Sequence, residues 1–157
     1  MKRLNCIVTV LLLTAALSLT TTDLKAQSNW EIGARFGNTW GLDVTIPFKA
    51  PRLHPAVYFG NDVAVGAYFD WLFSLEGDPY GFKFYPGVGP EFYFGNDFDI
   101  AAAGNFGVEY SFNFPLTIGF DWRPRFMLTE SFKFNGNNWG IFARFRFGEG
   151  AKFVKAD

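Results

Sequence analysis

From Val63 to Ser74 the side chains sort by parity. Val63, Val65, Ala67, Phe69, Trp71 and Phe73 hold the odd positions, and Ala64, Gly66, Tyr68, Asp70, Leu72 and Ser74 the even ones. Alternation sustained over twelve residues marks an extended strand with two unlike faces, because successive strand side chains point to opposite sides of a sheet. The same period separates Phe82, Phe84, Pro86, Val88, Pro90, Phe92 and Phe94 from Lys83, Tyr85, Gly87, Gly89, Glu91 and Tyr93. It separates Ile100, Ala102, Gly104, Phe106, Val108, Tyr110 and Phe112 from Ala101, Ala103, Asn105, Gly107, Glu109 and Ser111. It recurs over 30–36, 40–48, 53–60, 116–128 and 139–147, which makes eight predicted strands. Turn-forming clusters divide them: GNT at 37–39, KAPR at 49–52, GND at 60–62, EGDPYG at 76–81, GNDFD at 95–99, NFP at 113–115 and TESFKFNGNN at 129–138. No linker interrupts the series, so one domain is expected.

One face of every strand is bulky and apolar. The other carries all the strand charges: Glu31, Asp43, Asp70, Glu91, Glu109 and Asp121 against Arg35, Lys83, Arg123, Arg125, Arg144 and Arg146. Glycine and alanine fill most of what remains there, including Gly33, Gly41, Gly66, Gly87, Gly107, Gly119, Gly140, Ala56, Ala64, Ala101 and Ala103. Two eight-stranded architectures have one apolar face, and they are inside-out versions of each other. A soluble barrel turns the aromatics inward around an apolar ligand; a membrane barrel turns them outward to lipid and folds the charges into its lumen. Glycine on a solvated sheet surface costs backbone entropy and adds no packing, whereas the narrow bore of an eight-stranded barrel needs small residues. Equal numbers of opposite charges suit a closed interior. An Arg or Lys turned to mid-bilayer costs roughly 2–4 kcal/mol, and no ionisable residue falls on the apolar face. Asp121, Arg123 and Arg125 are accordingly expected inside, within reach of Glu109 on the preceding strand and of Arg144 and Arg146 on the following one.

Composition extends the picture. Aromatic residues make up 20% of the 157 residues, with 21 phenylalanines, more than a soluble core of this size requires. Lys2 and Arg3 precede the apolar run CIVTVLLLTAALSLTTT and the exit LKAQ. That order is the pattern of a secretory signal peptide, expected to end at Ala26, the barrel domain then occupying 27–157. The single cysteine, Cys6, would leave with it, which excludes disulfides, cysteine metal sites and thiol catalysis in the mature chain. Loss of Lys2, Arg3, Lys25 and Asp23 takes 14 basic and 15 acidic residues to 11 and 14, a net charge of −3, so nothing invites nucleic acid. With one histidine, His54, no multi-imidazole metal site is available, and no cofactor is expected.

The alternating segments, ending in WGIFARFRF, together with YFDWLF (68–73), YPGVGPEF (85–92) and GFDWRPRF (119–126), resemble the small eight-stranded outer-membrane barrel proteins of Gram-negative bacteria, a little-characterised group with a porin-like fold. The resemblance implies an all-β chain forming one closed, antiparallel, up-and-down transmembrane barrel in the cell outer membrane. It also implies contact with outer-membrane lipids including lipopolysaccharide, a monomeric state, and insertion by the barrel-assembly machinery, which reads an aromatic-ended last strand, here Phe145 and Phe147. The sequence departs from the strictest pattern because GEGAKFVKAD follows Phe147. Barrel enzymes of this size place a histidine near the outer rim beside a hydroxyl or carboxylate. His54 is expected instead near the periplasmic end, as a turn or lumen residue, so no catalytic residue is assigned.

Pro86, Pro90 and Pro124 lie on strands either side of 100–112. A proline removes a ladder bond wherever it stands, and a closed barrel has no free edge to hide it. A lateral, lipid-admitting seam beside Ala102 and Gly104, in a lipid-modifying barrel, is therefore one alternative to a structural, non-conducting envelope protein; a soluble periplasmic barrel holding an apolar ligand is the other.

Overall fold

A computed structural model describes residues 30–48, 51–74, 81–129 and 132–148. The expected signal peptide, the EGDPYG turn apart from Gly81, and GEGAKFVKAD apart from Gly148 lie outside them. The chain forms eleven strand segments: β1 Trp30–Gly37, β2 Trp40–Pro47, β3 Arg52–Phe59, β4 Val63–Asp70, β5 Phe73–Ser74, β6 Phe82–Phe94, β7 Phe98–Ser111, β8 Leu116–Trp122, β9 Arg125–Met127, β10 Lys133–Asn135 and β11 Trp139–Phe147. All pairings are antiparallel, and β1 closes on β11 through eight register pairs from Trp30↔Phe147 to Gly37↔Gly140. The result is a closed barrel of eight walls, β1, β2, β3, β4 with β5, β6, β7, β8 with β9, and β11. Chain entry and exit lie together at one end, where Trp30 stacks on Phe147 at 4.4 Å. The tight turns around 38–39, 60–62 and 95–97 form the opposite end, the mouth.

The parity reading holds along the eight walls except at Trp71–Ser74, where all four side chains are exposed. Glu31, Arg35, Asp43, Asp70, Glu91, Glu109, Asp121, Arg123 and Arg144 are buried, while Trp30, Ile32, Phe36, Leu42, Phe69, Val108, Phe120, Ile141 and Phe145 are exposed. Among the described residues the buried apolar set contains only alanines, tyrosines and Phe142. A water-soluble domain buries the opposite selection. Interior glycines leave the space the long side chains need. A Cβ on Gly140 would lie 2.5 Å from Cζ of Arg35, and one on Gly119 would lie 2.3 Å from Cζ of Phe142. Gly81 opens β6 at φ +125°, with its carbonyl accepting from Ser111 N at 2.9 Å, a conformation that disfavours any Cβ.

Large rings gather towards the two ends of the outer wall. Trp30 with Phe147 and Phe73 with Phe84 stack near the terminal end, where Phe82 meets Tyr110 at a tilt; near the mouth Trp40 stacks with Phe59 and Trp122 with Trp139, and Phe94 meets Phe98 at a tilt. Between them the wall is largely aliphatic: Ile32, Leu42, Val57, Val65, Val88, Val108 and Ile118.

Four features differ from the sequence reading. The strand predicted over 63–74 is interrupted at Trp71 and Leu72, dividing it into β4 and β5. Arg52, assigned to the KAPR turn, begins β3 and faces inward with only 6% of its side chain exposed. The TESFKFNGNN cluster contains β10, which folds back on β9 through Phe134↔Phe126. The strand predicted over 116–128 is interrupted at Arg123 and Pro124, dividing it into β8 and β9, because proline supplies no N–H for the ladder.

Candidate functional site

The interior is one ionic column built from side chains of every wall. At the terminal end Glu31 accepts hydrogen bonds from Thr117 (2.7 Å) and Thr45 (3.3 Å), and Arg146 stands 3.5 Å from it. Above this, Glu109 on β7 meets Arg52 on β3 at 2.9 Å and Arg144 on β11 at 3.3 Å, and Arg52 lies over the Tyr85 ring at 4.5 Å. Arg52 also reaches Asp70 at 3.2 Å.

His54 occupies the centre. Its Nδ1 lies 2.7 Å from Asp70 and its Nε2 3.0 Å from Asp43. Asn105 donates to the second oxygen of Asp70 at 2.7 Å, and Arg144 donates twice to Asp43, at 3.1 and 3.2 Å. Towards the mouth Asp121 binds Arg35 and Arg123, each at 2.7 Å. Arg123 lies over the rings of both Tyr58 and Tyr68 at 5.2 Å. Tyr58 and Tyr68 hydroxyls are 3.0 Å apart, Tyr68 and Tyr93 both donate to Glu91, and Arg125 donates to Tyr93 at 2.5 Å.

The structure thus brings together eleven of the twelve predicted interior charges. Lys83 is the exception: it is half-buried and makes no ion pair among the described residues, although it stands directly opposite Glu109 in register. Arg52 and Arg144 occupy that carboxylate. Six carboxylates are therefore matched by six arginines, with Arg52 in place of Lys83. Asp121 pairs with Arg35, which lies beyond β11, instead of with Arg144 or Arg146. His54, expected near an end, is fully buried mid-column. Its hydrogen-bonding neighbours among the described residues are two aspartates, an amide and a guanidinium. None is a nucleophilic hydroxyl.

The prolines fall at defined seams. Trp71 N donates to the Pro86 carbonyl at 2.9 Å, so the backbone polar groups of Pro86 point towards the β4–β5 wall, and those of Pro90, four residues on, point the same way. The β4–β6 ladder lapses between Gly66↔Glu91 and Phe69↔Val88. Gly104 N donates to the Pro124 carbonyl at 2.8 Å, which places the missing N–H of Pro124 opposite β7, and that ladder lapses between Phe106↔Trp122 and Ala103↔Arg125. The hairpin of β6 and β7 pairs without a gap at thirteen positions. It is bounded on both sides by proline-interrupted seams.

At the mouth a cavity of about 260 Å³ opens above Tyr58, lined also by Asn38, Thr39, Asp62, Tyr93 and Arg125. A second, wholly different depression of about 610 Å³ crosses the outer wall over β7, β8 and β11 and is apolar. No group of three His, Cys, Asp or Glu side chains among the described residues is placed to hold a metal ion. No family model, no curated protein and no solved structure matches this chain, so the outer-membrane resemblance rests on the strand pattern and the functional reading on the geometry above.

Proposed function

We propose that the chain is an exported, integral outer-membrane barrel whose role is structural, maintaining the envelope or presenting a small surface to envelope partners, with its bore sealed against ions. The observation that carries this reading is the reversal of polarity: 27 large apolar residues are exposed among the described ones, while arginines, carboxylates and a histidine fill the interior. Contiguous exposed apolar surface on this scale is untenable in water. Facing hydrocarbon, it gains what water denies it, and the aromatic clusters towards the two ends match interfacial girdles. Its surroundings would be outer-membrane lipids including lipopolysaccharide, and its folding would depend on the barrel-assembly machinery acting on a monomer. An interior of ion pairs offers an apolar ligand no seat, which weighs against the soluble carrier.

The column also bears on conduction. Arginine stays protonated at any physiological pH, so Arg52 and Arg144 in mid-column interrupt any relay of protons, and side chains from opposite walls meet across the bore. A barrel with this interior seals its membrane.

The test is fractionation of the expressed chain. The reading predicts recovery in the outer-membrane fraction, extraction only by detergent, and a folded form that changes gel mobility on heating. Recovery in the soluble periplasmic fraction without detergent would reject it.

A second reading has its own observation, the two proline-interrupted seams flanking the β6–β7 hairpin. In it the hairpin moves as a unit to admit a lipid tail. Hydrogen exchange at Ala67 and Gly104, whose amides face the two seams, faster than at the gapless β6–β7 ladder supports this reading; equal protection removes it.

A further inference from the structure

Among the interior arginines, Arg125 has the longest contact to a carboxylate. Its Nη1 donates to Tyr93 at 2.5 Å, but the nearest carboxylate oxygen, on Glu91, is 3.7 Å away. Glu91 is already satisfied by hydroxyl donors, Tyr68 on one oxygen and Tyr93 on the other. Arg125 Nε is buried and has no hydrogen-bond partner. A buried donor left unmade is costly, of the order of 1–3 kcal/mol, so each such group in a folded protein calls for a physical explanation.

Arg125 lines the mouth cavity of about 260 Å³. At about 30 Å³ per water molecule, that is room for a small organic acid and little more. The floor is the Tyr58 ring, and beneath it lie the guanidiniums of Arg123 at 5.2 Å and Arg35 at 6.0 Å. Nε and Nη1 of Arg123 also lack partners, so this end of the column holds positive charge that its carboxylates do not fully engage. Across the cavity, in the turn between β3 and β4, Asp62 is exposed and makes no ion pair among the described residues. The cavity therefore presents a guanidinium edge on one wall and a carboxylate on another, with the Tyr93 ring between them and the polar Asn38 and Thr39 at the rim.

We infer that the mouth of the barrel binds a small zwitterion of the amino-acid type, its carboxylate on the free edge of Arg125 and its ammonium towards Asp62. The planar guanidinium fork matches a carboxylate. A phosphate dianion fits worse, because Asp62 borders the space, Glu91 lies 3.7 Å from Arg125, and one loosely held cation balances one negative charge. The seat is formed by the barrel interior and its turns, so it stands whether the outer wall faces lipid or water.

The experiment uses the folded mature chain in detergent micelles, titrated calorimetrically with L-serine, propionate and D-glucose. L-Serine is expected to saturate with millimolar or better affinity, propionate to bind about tenfold more weakly, and glucose not to bind. R125Q should weaken L-serine about tenfold or more, the scale of one lost charge-assisted hydrogen bond. D62N should bring L-serine down to the affinity of propionate and leave propionate unchanged. If R125Q fails to fold, as judged by heat-dependent gel mobility, the Nε resonance of ¹⁵N-arginine-labelled wild type decides instead: it should shift with L-serine and not with glucose. No saturable L-serine binding well above about 1 mM, unchanged affinity in folded R125Q, or an unmoved Nε resonance overturns the inference.

Discussion

Replacing Arg144 with methionine isolates what the ionic column contributes. The side chain has no exposed surface and serves two carboxylates, Asp43 through bonds of 3.1 and 3.2 Å and Glu109 at 3.3 Å, while its guanidinium lies 3.8 Å above the Phe142 ring. Methionine keeps most of the contact with Phe142 and removes the charge, leaving two buried carboxylates short of a partner. Breaking a buried ion pair from one side costs about 3–5 kcal/mol. Asp43 still has His54 at 3.0 Å and Arg123 at 3.5 Å, and Glu109 still has Arg52 at 2.9 Å, so the expected loss is near the lower end, about 3 kcal/mol. With a urea slope of about 1–3 kcal/mol per molar, the midpoint of unfolding from lipid vesicles, followed by tryptophan fluorescence, should fall by about 1–3 M. In the D43N background the cost of R144M should shrink by at least about 1 kcal/mol, as expected for residues in direct contact. Lys83→Met is the control, expected within about 0.5 kcal/mol of wild type because Lys83 makes no ion pair among the described residues. An R144M protein as stable as the control would refute the claim that the interior charges hold one another.

Other expectations follow from the same geometry. Gly140→Val sets new atoms against Arg35, where even a Cβ lies 2.5 Å from Cζ, and should cost about 1–3 kcal/mol of strain in the same unfolding assay. Phe120→Arg puts a charge on the outer wall, where Phe120 is 42% exposed, and should cost roughly 2–4 kcal/mol in bilayers; an effect confined to a few tenths would place that wall in water. Tyr68→Phe removes a donor to Glu91 and the acceptor for Tyr58, and should destabilise by about 1–3 kcal/mol, measured against Tyr58→Phe, which leaves Glu91 both of its phenol donors.

The parity of each strand was legible because burial on one face imposes a strict period of two; Arg35, Asp121 and Arg144 fall inside for that reason alone. Arg52 was hidden by its place beside Pro51 in a turn-like cluster. Yet it shares parity with His54, Ala56 and Tyr58, and one further step back along β3 would have placed it inside. The depth of His54 was not legible, since height in a barrel depends on the stagger between strands, which no single strand encodes. Nor were the partners: in a narrow bore long side chains pass over their neighbours, as Arg35 does in crossing β11 to Asp121, and adjacency in sequence order stops predicting contact. The seam that Pro86 and Pro90 weaken needed the backbone too, because only the bond from Trp71 to Pro86 fixes which side they face. The mouth cavity had no sequence signal, being assembled from turn residues and the inward tyrosines of separate walls.

The central claim is that the apolar wall faces hydrocarbon. Nitroxide labels at Val88 and Phe120, introduced one at a time as cysteines into the mature chain reconstituted in lipid vesicles, test it most directly by their relative accessibility to oxygen and to a water-soluble nickel chelate. The account predicts high oxygen and negligible nickel accessibility at both sites; strong relaxation by the nickel chelate would contradict it.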